Sequence, residues 1–568
     1  MTIPTKTYLL IILFQIFLFG KKTNAQDCTL PQAQKVLHSK NLSVNILNGG
    51  DLFWDRSDAY FQTNPDDPTP VSSIFNAGIW IGAFTGLPDN PILKVAATTY
   101  NSPTSNDYSA GPLSDIGTVQ FDTCSNYDKL WEVYGSEIKN HIEDFAEDGI
   151  INNPQANIYQ YPGYGNPHFL TFNGFELPED RQEFAPYYDN NTDGLYNPDQ
   201  GDYPLPSSVH KDHYPGHMIW GVFNDAGKNH TLSGGDVLRV EIQLTAWAFS
   251  CNDNQILNNS IFTSHKIINW ALDPLDSMYV GMFVDFDLGC YTDDYVGCIP
   301  DLNTFYSYNS DEIDGTNGSA CNGGVSTFAS DPPVQAVTYL NQNMSSFTTT
   351  APAGTTASLN NFPAGYFNLL SGSWYDGVPL TAGGNGYNSG AQPTSFIFPD
   401  NPNDPNGWSM TTESIADGDF RALSSVHLDE MSYTSVETID MAYTFYQDET
   451  LNNLETVDLV YLNTPEVQQI YDSKFEMACD HLYLPNENLE SSTIEIFPNP
   501  TSDILNVKME ITSSANFSIF DIYGKRVFEK TEVNQNEIQL STSSFSSGVY
   551  FIKMEMEGKE LVKKFIKL

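Results

Sequence analysis

Basic residues are scarce. The 568 residues hold 25 Lys and Arg against 71 Asp and Glu, and residues 26–493 alone carry 13 basic and 61 acidic side chains, a formal charge of −48. Such a surface repels a phosphate backbone, which excludes nucleic-acid binding, and it favours cations. Long apolar runs are also missing. Beyond residue 19 nothing approaches the ~20 apolar residues that a membrane-spanning helix needs, so no transmembrane segment is expected in the mature chain. The chain contains no HExxH, GxSxG, Walker loop or GxGxxG, which leaves zinc-protease, serine-hydrolase, nucleotide and dinucleotide sites without an anchor. None of the seven cysteines sits in a CxxC, which argues against zinc-ribbon and thiol-redox chemistry. Seven is odd, so at least one stays outside an intrachain disulfide, and spacing does not give the pairing.

What the chain does have begins at its N-terminus. Lys6 precedes an apolar run from Tyr8 to Phe19, and Thr23-Asn24-Ala25 places small residues before Gln26. This pattern predicts a cleavable signal peptide over residues 1–25 and a compartment in which disulfides persist. A content of 40% hydrophobic and 13% aromatic residues supports a large core in the mature chain.

Residues 26–485 read as a β-rich region with long loops and a few short helices, one unit or two subdomains, of large β-sandwich type. Between Asn45 and Tyr100, Gly, Asn and Pro punctuate short apolar runs such as Leu52-Phe53-Trp54 and Ile79-Trp80-Ile81. From Val237 to Phe249 apolar and polar residues alternate, so one face is expected on a core and the other, with Arg239, Glu241, Gln243 and Thr245, in water. Ile261–Trp270 and Met278–Leu288 come next at hairpin-like distances. Asp128–Tyr134 reads as a strand, then Ser136 caps a helix that Gly149 stops, and Thr464-Pro465-Glu466 opens another. Residues 341–410 hold no period and are expected as loops carrying Trp374, Tyr375 and Trp408 outward. Residues 486–493 read as a linker.

The last segment, 494–568, alternates short apolar runs with turn residues, which predicts a small Ig-like β-sandwich. Its blocks are Phe497-Pro498-Asn499-Pro500 with Leu505-Asn506-Val507, then Phe520-Asp521-Ile522-Tyr523-Gly524-Lys525-Arg526-Val527, then Phe545-Ser546-Ser547-Gly548-Val549-Tyr550, and finally Lys563, Lys564 and Lys567. Together they resemble the type A C-terminal sorting domain of the type IX secretion system. Phe520 and Phe545 stand where Tyr and Leu are usual. The resemblance implies recognition by the type IX machinery, export across the outer membrane, removal of the tail, and release or attachment to surface lipopolysaccharide. Further blocks (Gly49–Asp55, Ile74–Gly82, Lys94–Ala97, Gly111–Leu113, Asp285–Gly289, Asp293–Cys298) resemble a group of exported proteins with the same tail, a group without an assigned activity.

Three constellations carry chemistry. Asp189, Asn191, Asp193 and Asn197 sit at positions 1, 3, 5 and 9 of a loop with Gly194 at 6 and the Leu195 carbonyl at 7, the front of a calcium loop. Gln200 replaces the bidentate Glu of position 12, so Asp199 or Asp202 must complete the shell, and Pro186, Pro198 and Pro204 forbid flanking helices. What remains is similar to the helix-free loops of dockerin or thrombospondin calcium repeats, and an Asx-turn loop without an ion is the alternative. Asp285 and Asp287 share a strand face, with Asp293 and Asp294 in the next turn. That group reads as a solvated turn, a second cation site or a catalytic carboxylate pair. His210, His213 and His217 lie within eight residues, with Pro215-Gly216 interrupting any helix, and read as a surface loop or a zinc or copper site. The reading is a secreted or surface-held, calcium-stabilised binding, adhesion or structural protein acting on extracellular glycans or proteins. The alternative is an extracellular hydrolase of polysaccharide or protein.

Deleting residues 494–568 is expected to leave the protein in the periplasm. Fractionation of cells expressing full-length and truncated chains checks this, and equal amounts of both in the medium would defeat it.

Overall fold

The strand Val240–Ala248 sets the architecture, because it is buried along its whole length. Val240, Ile242, Leu244 and Ala246 enter the central core, while Trp247 and Phe249 join a second cluster on the opposite face. Glu241, Gln243 and Thr245 are therefore buried and not in water. The computed structural model describes residues 27–567 apart from 66, 101–105, 179–183, 316–320, 322–325, 477–478, 480–494, 509–514, 522–524, 534–536 and 557–558. The expected signal peptide, the 486–493 linker and the centre of the 520–527 block lie outside the described residues.

The chain divides into two compact units between residues 483 and 484. The larger is mainly β, and all its ladders are antiparallel. One ten-stranded sheet runs Met344–Thr349, Arg421–Met431, Leu275–Phe286, Ile74–Leu87, Asp51–Leu52, Leu42–Leu47, Phe61–Thr63 and Val71–Ser72, with Gln34–His38 and Asn90–Ala97 as side branches. The nine-stranded sheet runs Asp294–Ile299, Thr304–Asn309, Val334–Tyr339, Val436–Tyr446, Ser260–Asn269, Val240–Ala248, His217–Asn224 and Ser109–Ala110, with Trp131–Tyr134 beside His217–Asn224. Ile79, Ile81, Val280 and Met282 of the first sheet and Ile242, Leu244, Ile267 and Tyr443 of the second share one core. The arrangement is the expected β-sandwich type.

Two strands expected to form a hairpin belong to different sheets. Ser260–Asn269 lies in the nine-stranded sheet and Leu275–Phe286 in the ten-stranded one, and the turn between them crosses the sandwich.

Both outer faces are covered. On the nine-stranded sheet Trp220, Trp247 and Phe262 pack with Ile138, Ile158, Phe169 and Phe184 from the helix-and-loop segment that precedes His217. The helix Gly135–Asp148 in that segment buries Ile138, and Gly149 closes it with a left-handed φ of 78°. On the ten-stranded sheet the helix Pro363–Leu370 lies over Trp80, Phe283 and Leu423. Gly281 permits this approach, since a Cβ there would stand 2.5 Å from Leu370 and 2.8 Å from the Ser424 carbonyl. The helix Asn453–Asp472 starts eleven residues before the expected Thr464 and takes Pro465 into its interior. Its start is fixed by a capping box: Asn452 Oδ1 accepts N–H bonds from Leu454 (3.0 Å) and Glu455 (2.9 Å), and Glu455 accepts from the Asn452 N–H.

Cys28–Cys124, Cys251–Cys479 and Cys290–Cys321 are bridged, and Cys298 is the free, buried thiol. In the smaller unit a three-stranded sheet (Glu495–Phe497, Ile504–Lys508, Glu537–Ser541) and a four-stranded one (Arg526–Val533, Ala515–Asp521, Gly548–Met556, Lys559–Lys567) enclose Leu505, Val507, Phe517, Ile519, Ile538, Leu540 and Ile552.

Candidate functional site

The covered face of the ten-stranded sheet carries the most concentrated chemistry. Asp285 pairs directly with Asn76 on one neighbouring strand and with Arg421 on the other. Directly paired residues share a face of the sheet. Asp287 and Asp419 lie two residues beyond the Asp285–Arg421 pair, just past the end of the ladder. One carboxylate oxygen from each of Asp285, Asp287 and Asp419 lies within 4.8 Å of the other two. Arg421 Nη2 donates to Asp419 Oδ2 (2.9 Å), and its Nε donates to Tyr100 Oη (3.0 Å) and stands 3.6 Å from Asp285 Oδ1. The Tyr100 hydroxyl donates to Asp285 Oδ2.

Burial raises the Asp285 carboxyl above the ordinary range, against the pull of Arg421 and the Tyr100 hydrogen bond. Asp287 is raised further, first by burial and then by the charges of Asp285 and Asp419, with Arg421 opposing. Burial, then the Asp285 charge, raises the Tyr100 phenol.

Tyr100, Asp419 and Arg421 stand in the wall of a cleft of about 590 Å³. Its base is the buried aromatic group Trp80, Phe283 and Tyr366, with Trp80 stacked on Phe283 at 5.4 Å. Thr350, Thr355, Thr356 and Asp417 line the open side.

Asp293 and Asp294 are not part of this cluster. The chain changes sheets between Phe286 and Asp294, and Asp293 lies with Asp314 and Cys290 instead. There the carboxylates hold turns: Asp294 Oδ2 accepts from the Leu288 N–H (3.0 Å), Asp293 Oδ2 from Gly315 (2.7 Å), and Asp314 Oδ1 from Cys290 (2.8 Å). The sulfur of Cys290 is committed to its disulfide.

The 189–202 loop is closed at its base by the Tyr187–Tyr188 and Tyr203–Pro204 ladder. Asp189 accepts N–H bonds from Thr192 (2.7 Å) and Gly194 (2.8 Å), Asn191 from Asp193 (3.1 Å), and Asp193 from Leu195 (2.9 Å). Gly194 takes the left-handed turn at φ 79°. Buried Asp202 accepts from Asn190 and Asn197, both 2.8 Å, and ties the two sides together. Asp199 turns away, bonded to the Tyr159 hydroxyl (2.6 Å) and His168 Nε2 (2.8 Å), and Asn197 Oδ1 caps its N–H.

The three histidines do not converge. His210 and His213 lie on a turn with rings 5.8 Å apart, whereas His217 is buried in a strand, stacked on Tyr134 at 4.3 Å. Of the expected outward aromatics, Trp374 is fully buried with its Nε1–H on the Gly386 carbonyl, and Trp408 and Tyr375 are half-buried. Sequence reasoning missed Tyr100, Asp419 and Arg421; the one local signal was the Asp-Gly-Asp run of 417–419 ahead of a strand.

Residues 495–568 match the family model described as the secretion system C-terminal sorting domain. The tail is a type IX sorting domain, and the protein is exported to the cell surface or the extracellular space. The chain is also similar to an endo-acting ulvan lyase of Formosa agariphila, 28% identical over 92 residues, which span 16% of this chain and 18% of that protein. Among solved structures it matches a polysaccharide lyase at 8% identity and a TM-score of 0.18, over 65% of this chain and 37% of that one.

With a chelator present, stability should fall as pH rises. A carboxyl raised in the folded state contributes fully below its unfolded pKa of ~4 and loses that contribution as pH climbs through its folded value, about 9 for Asp287. Asp287→Asn removes this titration, so its melting temperature at pH 8 should exceed that of the parent by on the order of a few degrees, with little difference at pH 4. Equal slopes for the two proteins in thermal scans from pH 4 to 9 would contradict the assignment.

Proposed function

We propose that the exported unit is a calcium-stabilised binding protein that takes a hydroxylated ligand, a glycan of the cell's surroundings, in the cleft beside Asp285, Tyr100 and Arg421. The observation that carries the reading is the composition of that cleft. Threonine hydroxyls, a phenol, a guanidinium and carboxylates border a rigid sheet face, the mix of donors and acceptors that recognises hydroxyl groups. The limited similarity to an ulvan lyase puts ulvan among the glycans to test. Retention at the surface through lipopolysaccharide belongs to the same proposal.

The hydrolase alternative is favoured by one feature. Raised carboxyls at Asp285 and Asp287 would include a protonated acid near neutral pH, the property a general acid needs. Purified protein applied to immobilised polysaccharides, ulvan included, and to extracellular proteins separates the two when retention and bond cleavage are scored independently. Retention without cleavage, weakened tenfold or more by Arg421→Ala, supports binding. Turnover abolished by Asp287→Asn overturns it in favour of hydrolysis.

Calcium is assigned in this proposal to Asp189, Asn191, Asp193, Asn197 and the Leu195 carbonyl, with Asp202 holding the loop and Asp199 drawn off to Tyr159 and His168. An ion bound only by the folded state at 100 times its Kd adds about 2.7 kcal/mol. Millimolar calcium should therefore raise the melting temperature, and Asp193→Ala should blunt the rise. Identical melting curves of the parent protein in calcium and in chelator would remove the ion from this loop.

A further inference from the structure

The acidic group of the ten-stranded sheet calls for a counter-ion that its own residues do not supply in full. Three carboxylates, the buried Asp285, the half-buried Asp287 and the exposed Asp419, face one guanidinium, Arg421, which leaves two formal negative charges where the covered sheet face meets the cleft. Close like charges of this kind are held together by protons or by a cation.

Two further atoms bear on the choice. Asp285 is 3% exposed, and its Oδ1 has no hydrogen-bond donor among the described residues. Asn76, fully buried and directly across the ladder from Asp285, is likewise left with an unpartnered Oδ1 while its Nδ2 donates to the Leu52 carbonyl (3.3 Å). An acceptor oxygen stranded in a protein interior destabilises the fold, because it has given up its water without gaining a donor. A proton on Asp285 donated to the Asn76 amide oxygen would satisfy both but leave one of the two negative charges uncompensated, whereas a metal ion takes both oxygens as ligands and offsets the whole charge.

We propose that Asp285, Asp287 and Asp419, with the Asn76 amide oxygen, hold a divalent cation of the calcium type at the edge of the cleft. All the donors are oxygens, with neither imidazole nor thiolate among them, which selects a hard ion over zinc or copper. The carboxylate oxygens lie within 4.8 Å of one another, twice a calcium–oxygen distance of ~2.4 Å, so they fit around one such ion. A single divalent charge also cancels the two uncompensated ones. The site is separate from the 189–202 loop and does not depend on the cleft's ligand. Asp419 is exposed on the cleft wall, and entry is from that side.

The test uses calcium alone, titrated calorimetrically into the chelator-stripped mature protein carrying Asp193→Ala, so that the loop's contribution is removed. One calcium event should remain. Asp419→Asn, an isosteric change at an exposed position, should weaken that event tenfold or more, and so should Asp287→Asn. Arg421→Gln should tighten it several-fold by removing the competing cation, whereas an arginine serving only as a structural partner gives no such gain. Melting at pH 5 in chelator confirms that each variant is folded. Absence of the remaining event, or equal affinity in the Asp419→Asn and Asp287→Asn proteins and their parent, would overturn the site. Loss of glycan retention would bear on the cleft and leave this result standing.

Discussion

Everything in the larger unit depends on the two sheets being covered on both faces. A sheet that meets solvent on one side spends its polar residues there without cost, but here the outward positions of Val240–Ala248 and Leu275–Phe286 are sealed by the segment before His217 and by the helix Pro363–Leu370. Polar side chains on those faces must find partners within the protein. Glu241 does so by accepting the Leu113 N–H at 2.8 Å, and Asp285 by meeting Tyr100 and Arg421. The chemistry of the cleft is thus a by-product of burial: Asp285 and Asp287 are raised because the layer above them excludes water, and the cleft is the place where that layer parts.

The legible parts of the sequence obey local rules. The tail's alternating runs became strands because alternation and turn residues agree over short stretches, and its blocks are close together in the chain. The 189–202 loop is held by Asx turns and by Gly194, which act within a few residues. The face shared by Asp285 and Asp287 came from period two.

The rest was illegible because it is made by chain crossings. Ser260–Asn269 and Leu275–Phe286 look like a hairpin in sequence, yet the turn at 270–274 carries the chain from one sheet to the other, and a second crossing separates Asp287 from Asp293 and Asp294. Arg421 and Asp419 reach Asp285 through a ladder whose partners are more than a hundred residues apart, and Tyr100 comes from yet another segment. Trp374 misled for a related reason. A tryptophan in a stretch without periodicity reads as a surface aromatic, but this one packs into the central core from a loop.

The bridge between Cys251 and Cys479 has a mechanical consequence. It joins the exit of the strand Val240–Ala248 to a point beyond the end of the helix Asn453–Asp472, across 228 residues of sequence. Any cut C-terminal to Cys479 therefore creates a new chain end that is already pinned. Tension applied to that end is borne by a covalent bond anchored beside a central strand and does not unwind the helix behind it. A body anchored in this way does not fray from that end.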